Sequence, residues 1–262
     1  MLSYQHMYHA GNLADVHKHM LLASALEYLT KKDKPLTYIE THAGRALYDL
    51  AAPQAQQTQE ADAGIGRLWA QIAHEHAYVK AVAAVRSENG TEAYPGSPLI
   101  ATQLLRPSDS IHLAELHPGE FAQLSYHMSG TIAQCHHKDG FALALSLCPP
   151  MPRRGLILID PSYEIKDDYT SIPKFIRQVT KAWNVGIVCL WYPLLKSNAH
   201  SPMIGALTQR HPEALRHEVR FPPARKDHRM VGSGMFVINP TYGLDTQAQQ
   251  VQTMFDQLKP DI

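Results

Sequence analysis

The sequence predicts an α/β fold in which a mostly parallel β-sheet carries helices on both faces. Three observations support this. Strand-like runs such as 155–160 (GLILID) and 185–193 (VGIVCLWYP) are almost continuously apolar, as strands buried on both faces are. Helix-patterned segments separate most of these runs, as crossover connections require. Several runs close on an acid or reach one in the next loop, at the end of the sheet where open α/β folds hold ligands.

The first helix is expected over 12–30. Asn12 can cap it, Asp15 completes an approximate capping box, and Leu22, Leu26 and Leu29 share one face. A short strand over 35–41 then opens into His42-Ala43-Gly44. Residues 52–90 are rich in Ala, Gln and Glu, and Trp69, Ile72, Val79, Val82 and Val85 recur at roughly helical spacing. This segment reads as helical with few strand signals. Strands return at 110–118, weakly at 132–140, most strongly at 155–160, and again at 185–193. A helix is expected over 170–183. Two last strands, 215–221 and 234–240, are close enough in sequence to form an antiparallel pair. No internal repeat or low-complexity linker interrupts the chain. The simplest division is a single domain over 1–262 with a helical insertion at 52–96.

Composition narrows the function. The chain has 262 residues and is 45% hydrophobic, enough for a substantial core. No run approaches the roughly 18 apolar residues of a membrane span, and the polar, histidine-rich N-terminus is unlike a signal peptide. Three separated cysteines fit reduced thiols in a cytoplasmic protein. A formal net charge of zero argues against wrapping nucleic acid by charge alone, though not against a local basic patch. Sixteen histidines are many, but the clusters HEH (74–76) and CHH (135–137) lack the usual metal-ligand spacing, and no metal is expected. Nothing indicates an obligate dimer, and a monomer is expected.

The strand ends suggest the cofactor. The loop HAGRALYDL has one glycine, Gly44, and no G-x-G-x-x-G to cradle a pyrophosphate. S-adenosylmethionine has no phosphate and needs less. Gly44 would let backbone approach its methionine part, Glu115 would accept both ribose hydroxyls, and Asp139 would read the adenine amine. Each acid also reads as a loop cap or a solvated side chain. In the run Asp160-Pro161-Ser162-Tyr163, the Asp160 carboxylate and Pro161 carbonyl can accept hydrogen bonds from an exocyclic amine, and Asp160 can take up its proton. Tyr163 can stack on an extruded base. The plainer reading is a strand-ending turn. Lys18 and His19 lie near a helix start, which suits a carboxylate, or they occupy a solvated face. Ser97 in PGSP offers a hydroxyl to the cofactor or is a turn serine. Arg225 and Lys226, in the loop 222–230, are candidate phosphate contacts or solvated charges.

Taken together, MLSYQHMYHAGNLADVHKH, ETHAG, YPGSPLIA, AELHP, KDGF, RRGLILIDPSYE, LWYP and SGMFVINP resemble the RlmJ family, which methylates adenine N6 in large-subunit ribosomal RNA. The likeness runs from residue 1 to about residue 240 in motif order. It implies a Rossmann-like methyltransferase with a seven-stranded sheet, a C-terminal antiparallel strand and a helical insertion. It also implies S-adenosylmethionine as methyl donor and large-subunit ribosomal RNA, free or in early assembly, as partner. By position, Asp160 matches the catalytic acid. His19, His42, Ser97, Glu115, Asp139, Gly140 and Asp160 match cofactor contacts, with Lys18 beside His19. Tyr4 matches an aromatic residue that reaches over the site toward substrate.

Two positions depart from the family pattern. Ala46 stands where a second glycine is usual, which is expected to crowd the cofactor loop. Ser162 replaces the second proline of Asp-Pro-Pro-Tyr, which leaves the Pro161 carbonyl in place but loosens the loop. Other readings keep the fold but take DNA adenine, a protein amide or a small amine as target, or a nucleic-acid-binding protein that has lost turnover.

Overall fold

The computed structural model describes residues 6–165, 167–222 and 229–258. Helix α1 (Leu13–Thr30) starts as expected, with the Asn12 side chain accepting from the Asp15 amide at 2.9 Å. A single apolar face understates its burial. Val16, His17, Lys18, His19 and Ala23 are buried along with the three leucines. The cause is position, because α1 lies inside a stack of elements rather than on the surface.

Strand β1 (Thr37–Glu40) follows, fully buried. Strands β2 (Leu47–Asp49) and β3 (Ala93–Pro95) form a separate antiparallel pair, which three-residue strands are too short to announce by alternation. Between them lie helix α2 (Pro53–Thr58), a wide helical turn at Asp62–Gly66, a short helical turn at Trp69–Gln71, and α3 (Ala77–Asn89). Trp69 and Ile72 thus precede the helix that carries Val79, Val82 and Val85.

The remaining elements alternate. They are α4 (Ser97–Leu104), β4 (Ser110–Ala114), α5 (Pro118–His127), β5 (Ala133–His136), α6 (Gly140–Leu147), β6 (Gly155–Ile159), α7 (Asp168–Ala182), β7 (Ile187–Leu195), α8 (Ser201–Arg210), β8 (Leu215–Arg220), β9 (Met230–Ile238) and α9 (Leu244–Asp256). The main sheet has seven strands in the order β5-β4-β1-β6-β7-β9-β8. Neighbours from β5 to β7 pair in parallel, and β9 runs antiparallel to both β7 and β8. This is the expected architecture, with β9 beginning earlier, at Met230.

Strand β6 shows why its sequence is continuously apolar. Leu156 and Leu158 enter the core beneath α1, α4 and α9, whereas Ile157 and Ile159 enter the core beneath α6, α7 and α8. Each such side chain contributes about 1.5–3 kcal/mol of burial before entropy is counted. The chain fills one half of the sheet from β1 outward through β4 and β5, then crosses to β6 for the other half. That reversal opens a crevice at the carboxyl ends of β1 and β6.

Gly155 pairs with Thr37, and a Cβ there would run into the Thr37 carbonyl. Gly205 lies exposed within α8 with open space around it. In urea unfolding, Gly155→Ala is expected to lose at least about 1 kcal/mol through overpacking. Gly205→Ala is expected to gain about 0.5–1 kcal/mol through helix propensity. Shifts of the same sign would contradict the packing described.

Candidate active site

A cavity of about 400 Å³ lies over the carboxyl ends of β1, β4, β5 and β6. Of the residues singled out from sequence, Lys18, His19, His42, Gly44, Ser97, Glu115, Asp139, Gly140, Asp160, Pro161 and Tyr163 line it together. Tyr4, Arg225 and Lys226 lie outside the described residues.

The loop after β1 is shaped by glycine and by an acid. Gly44 has φ +62° and donates its amide to Glu115 Oε2 at 2.9 Å. Glu115 Oε1 accepts from the His117 amide at 2.7 Å. Burial raises the Glu115 pKa, and these amides work against that rise. Asp139 both lines the cavity and caps α6, accepting from the Ala142 amide at 2.8 Å. Gly140 lets α6 begin against the Thr41 carbonyl, where a Cβ would overlap. Burial pushes His42 down to about 4, so its imidazole is neutral; its Nδ1 lies 2.8 Å from Thr41 Oγ1.

Lys18 and His19 differ from expectation. They sit in the second turn of α1, past the four free amides of the helix start. Lys18 Nζ is 2.5 Å from Asp160 Oδ2 and 3.0 Å from Asp15 Oδ1. Burial opposes the ammonium, but Asp160 and Asp15 outweigh it and raise the Lys18 pKa. Burial likewise opposes the Asp15 carboxylate, yet His6, Lys18 and His19 hold its pKa well below the usual range. Asp15 Oδ2 also meets the Gly11 amide at 3.0 Å and His6 Nε2 at 2.8 Å. Burial drives His19 down to about 3, and its Nδ1 lies 3.0 Å from the Tyr94 hydroxyl. The cation at this corner is therefore committed to two carboxylates.

The turn after β6 bends at Tyr163, whose φ is +56°. A non-glycine residue held in this region costs on the order of 1–3 kcal/mol. Its hydroxyl donates to the Trp191 carbonyl at 2.8 Å and its ring packs on Tyr169 at 4.9 Å, which fixes the turn. Ala46 also has a positive φ, +71°, but its buried methyl does not line the cavity. The departure from glycine therefore strains the backbone and does not crowd the pocket.

Three side chains at the site do more than the sequence indicates. Asp15 supports the helix start and also holds Lys18, three residues on along the same helix face. Trp191, on the cavity wall, lies within β7 and within the family-like stretch LWYP, which by itself assigns the ring no role. Glu40 is fully buried at the end of β1 and accepts from the hydroxyls of Ser97 and Tyr38, the latter at 2.8 Å. Ser97 thus borders the cavity with its hydroxyl already bound to Glu40.

Burial pushes the Glu40 pKa from 4.5 up to about 8 against those two donors. Between these values the folded state keeps a proton that the unfolded state has released. Stability from this group is full below the unfolded pKa and is lost as pH rises through the folded one. Glu40→Gln is expected to flatten the fall of the urea midpoint between pH 5 and 8, roughly the window those pKa values set. An unchanged slope would count against a buried neutral carboxyl.

Among the described residues, no group of three or more His, Cys, Asp or Glu is placed to hold a metal ion, and no helix is long and apolar enough to cross a membrane. Comparison with known proteins agrees with the geometry. A family model described as ribosomal RNA large subunit methyltransferase D, RlmJ, matches residues 33–260. Ribosomal RNA large subunit methyltransferase J of Escherichia coli (strain K12) is 41% identical over 256 residues, covering 96% of this chain and 91% of that protein. Its namesake in Haemophilus influenzae is 38% identical over 259 residues, covering 96% and 92%. The crystal structure of protein LPL1258 from Legionella pneumophila superposes with a TM-score of 0.86 at 34% identity, covering 95% of this chain and 94% of that one. A probable spermidine synthase from Corynebacterium glutamicum shares the fold alone, with a TM-score of 0.53 at 11% identity over 95% of this chain and 73% of that one. With a family model matched over most of its length and relatives this similar, the chain belongs to the RlmJ family.

Proposed function

We propose that this chain transfers a methyl group from S-adenosylmethionine to the N6 amino group of an adenine in large-subunit ribosomal RNA. The observation that carries the reading is the convergence of Asp160 and Pro161 with Gly44, Glu115 and Asp139 in one cavity at the sheet's switch point. Relatives named for methylating large-subunit ribosomal RNA support the substrate class.

The donor set suits the cofactor. Glu115 and Asp139 supply acceptors for ribose hydroxyls and an adenine amine, and Gly44 leaves room for close backbone approach. Neutral His42 adds no positive charge beside a sulfonium, while the carboxylates favour one. When bound, the cofactor supplies an electrophilic methyl group. The chain's own residues prepare the amine. Asp160 and the Pro161 carbonyl accept its two N–H bonds, which draws the nitrogen lone pair out of conjugation with the ring. Lys18 holds Oδ2 of Asp160 in place and leaves Oδ1 for the amine. The surplus proton passes to the Asp160 carboxylate, directly or through water. Tyr163 and Trp191 offer aromatic surface to the base, and Arg225 and Lys226 serve as phosphate contacts.

The target base must leave its stack to reach Asp160, which favours free or early-assembling ribosomal RNA.

Incubation with labelled S-adenosylmethionine and unmodified large-subunit ribosomal RNA, then digestion to nucleosides, is expected to place label in N6-methyladenine. Label in another nucleoside, or transfer only to DNA or protein, would overturn the proposal. Asp160→Ala is expected to slow transfer by at least about 100-fold. Calorimetry should show that variant still binding S-adenosylhomocysteine. Wild-type turnover in Asp160→Ala would remove Asp160 from the mechanism.

A further inference from the structure

A buried polar chain starts at the cavity wall and leads away from it. Trp191, on β7, lines the cavity, with the Lys18 ammonium 5.7 Å from its ring centre and the Tyr163 ring centre 6.0 Å away. Its indole Nε1 donates to Ser233 Oγ of β9 at 2.9 Å. Ser233 Oγ is 2.8 Å from His17 Nδ1 on α1, and His17 Nε2 is 2.9 Å from His217 Nδ1 on β8. Ser233 and His17 are both fully buried. Neither these two nor His217 lines the cavity.

The direction of the chain follows from its first member. An indole N–H only donates, so Ser233 Oγ must accept. Were His17 also to donate to Ser233, the serine proton would be buried without an acceptor, which costs about 1–3 kcal/mol. The serine hydroxyl therefore donates to His17 Nδ1. That fixes His17 as the Nε2–H tautomer, which donates in turn to His217 Nδ1. Burial, reinforced by His217, lowers the His17 pKa and keeps the ring neutral, as this order requires. Ser233 and His17 each have one arrangement that keeps the serine proton bonded, His217 ends the chain with its Nε2 buried and without a close partner among the described residues, and Trp191 is the end that faces substrate.

We propose that Ser233, His17 and His217 are positioning residues that lock the Trp191 indole at the wall of the base site and thereby set the rate of methyl transfer. The inference rests on the proposed adenine methylation, in which an extruded base needs a fixed aromatic wall. Small misplacement near reacting atoms is costly, on the order of 100-fold per ångström in severe cases. A chain rooted in three elements, α1, β8 and β9, holds the indole more firmly than packing alone.

The test is to remove the serine hydroxyl with and without the indole N–H. Ser233→Ala is expected to lower kcat about 10-fold, with KM for S-adenosylmethionine changed less than about 2-fold because the chain ends at the base wall. In a Trp191→Phe background, which already lacks the N–H, Ser233→Ala should lower kcat by less than a further 2-fold or so. An equal loss in both backgrounds, or no loss in either, overturns the proposal. Indole N–H exchange, followed by NMR for the three tryptophans, gives a reading independent of activity. The Trp191 signal should exchange about 10-fold faster in Ser233→Ala, and unchanged exchange also overturns the chain. If Ser233→Ala does not fold, His217→Phe, at the half-buried far end, takes its place with the same expected outcomes. If the wild-type protein methylates no RNA, the proposed function fails while the indole exchange still judges the chain.

Discussion

One buried ammonium organises this molecule. Lys18 Nζ sits between Asp15 on its own helix and Asp160 at the end of β6, with all three side chains largely out of water. Removing one partner from such a group typically costs about 3–5 kcal/mol, because a charge is left stranded in a low-dielectric interior. The same energetics make the group a poor source of net stability. Its value lies in specificity, since only one docking of α1 on the sheet satisfies every charge. That docking sets the position of Oδ2 of Asp160 and hence the orientation of the carboxylate.

The constraint extends outward in both directions. Asp15 also accepts from the Gly11 amide and meets His6, so the segment before α1 is drawn over the cavity. The segment 52–90 grips the same stretch from outside. Asn12 donates to Glu60 Oε2 at 3.1 Å, the Thr58 hydroxyl donates to the Tyr8 carbonyl at 2.6 Å, and the Ile65 amide donates to the Gly11 carbonyl at 2.8 Å. Gly64 packs so closely on Gly11 and Asn12 that a Cβ would overlap their backbone. On the inner side, neighbouring His17 reaches through Ser233 to Trp191. Consecutive residues of α1 thus serve different walls of one site, which is why this helix is buried on nearly all sides.

The fold was legible wherever a physical pattern repeats. GLILI reads as a strand because its side chains alternate between two apolar layers. The acids at strand ends point to a site because open α/β sheets leave their carboxyl ends free for ligands. The site residues followed from those ends and from the family likeness. What the sequence withheld depends on long-range pairing. Nothing near Lys18 in the chain announces a carboxylate 142 positions away. Ser97 reads as a free hydroxyl until Glu40 is seen beneath it. The sheet formed by β2 and β3 is too short for any period to emerge. In sequence the Ala46 departure is a matter of pocket volume, whereas in the fold it falls on backbone conformation because the methyl packs in the core.

Lys18 and Asp160 are energetically coupled across the α1–β6 interface. A double-mutant cycle with Lys18→Met and Asp160→Asn, measured by urea unfolding at neutral pH, tests this most directly. The account predicts a coupling of at least about 2 kcal/mol, with the double variant more stable than the sum of the single losses implies. Losses that add within about 0.5 kcal/mol would contradict it and leave Asp160 to be positioned by its own loop.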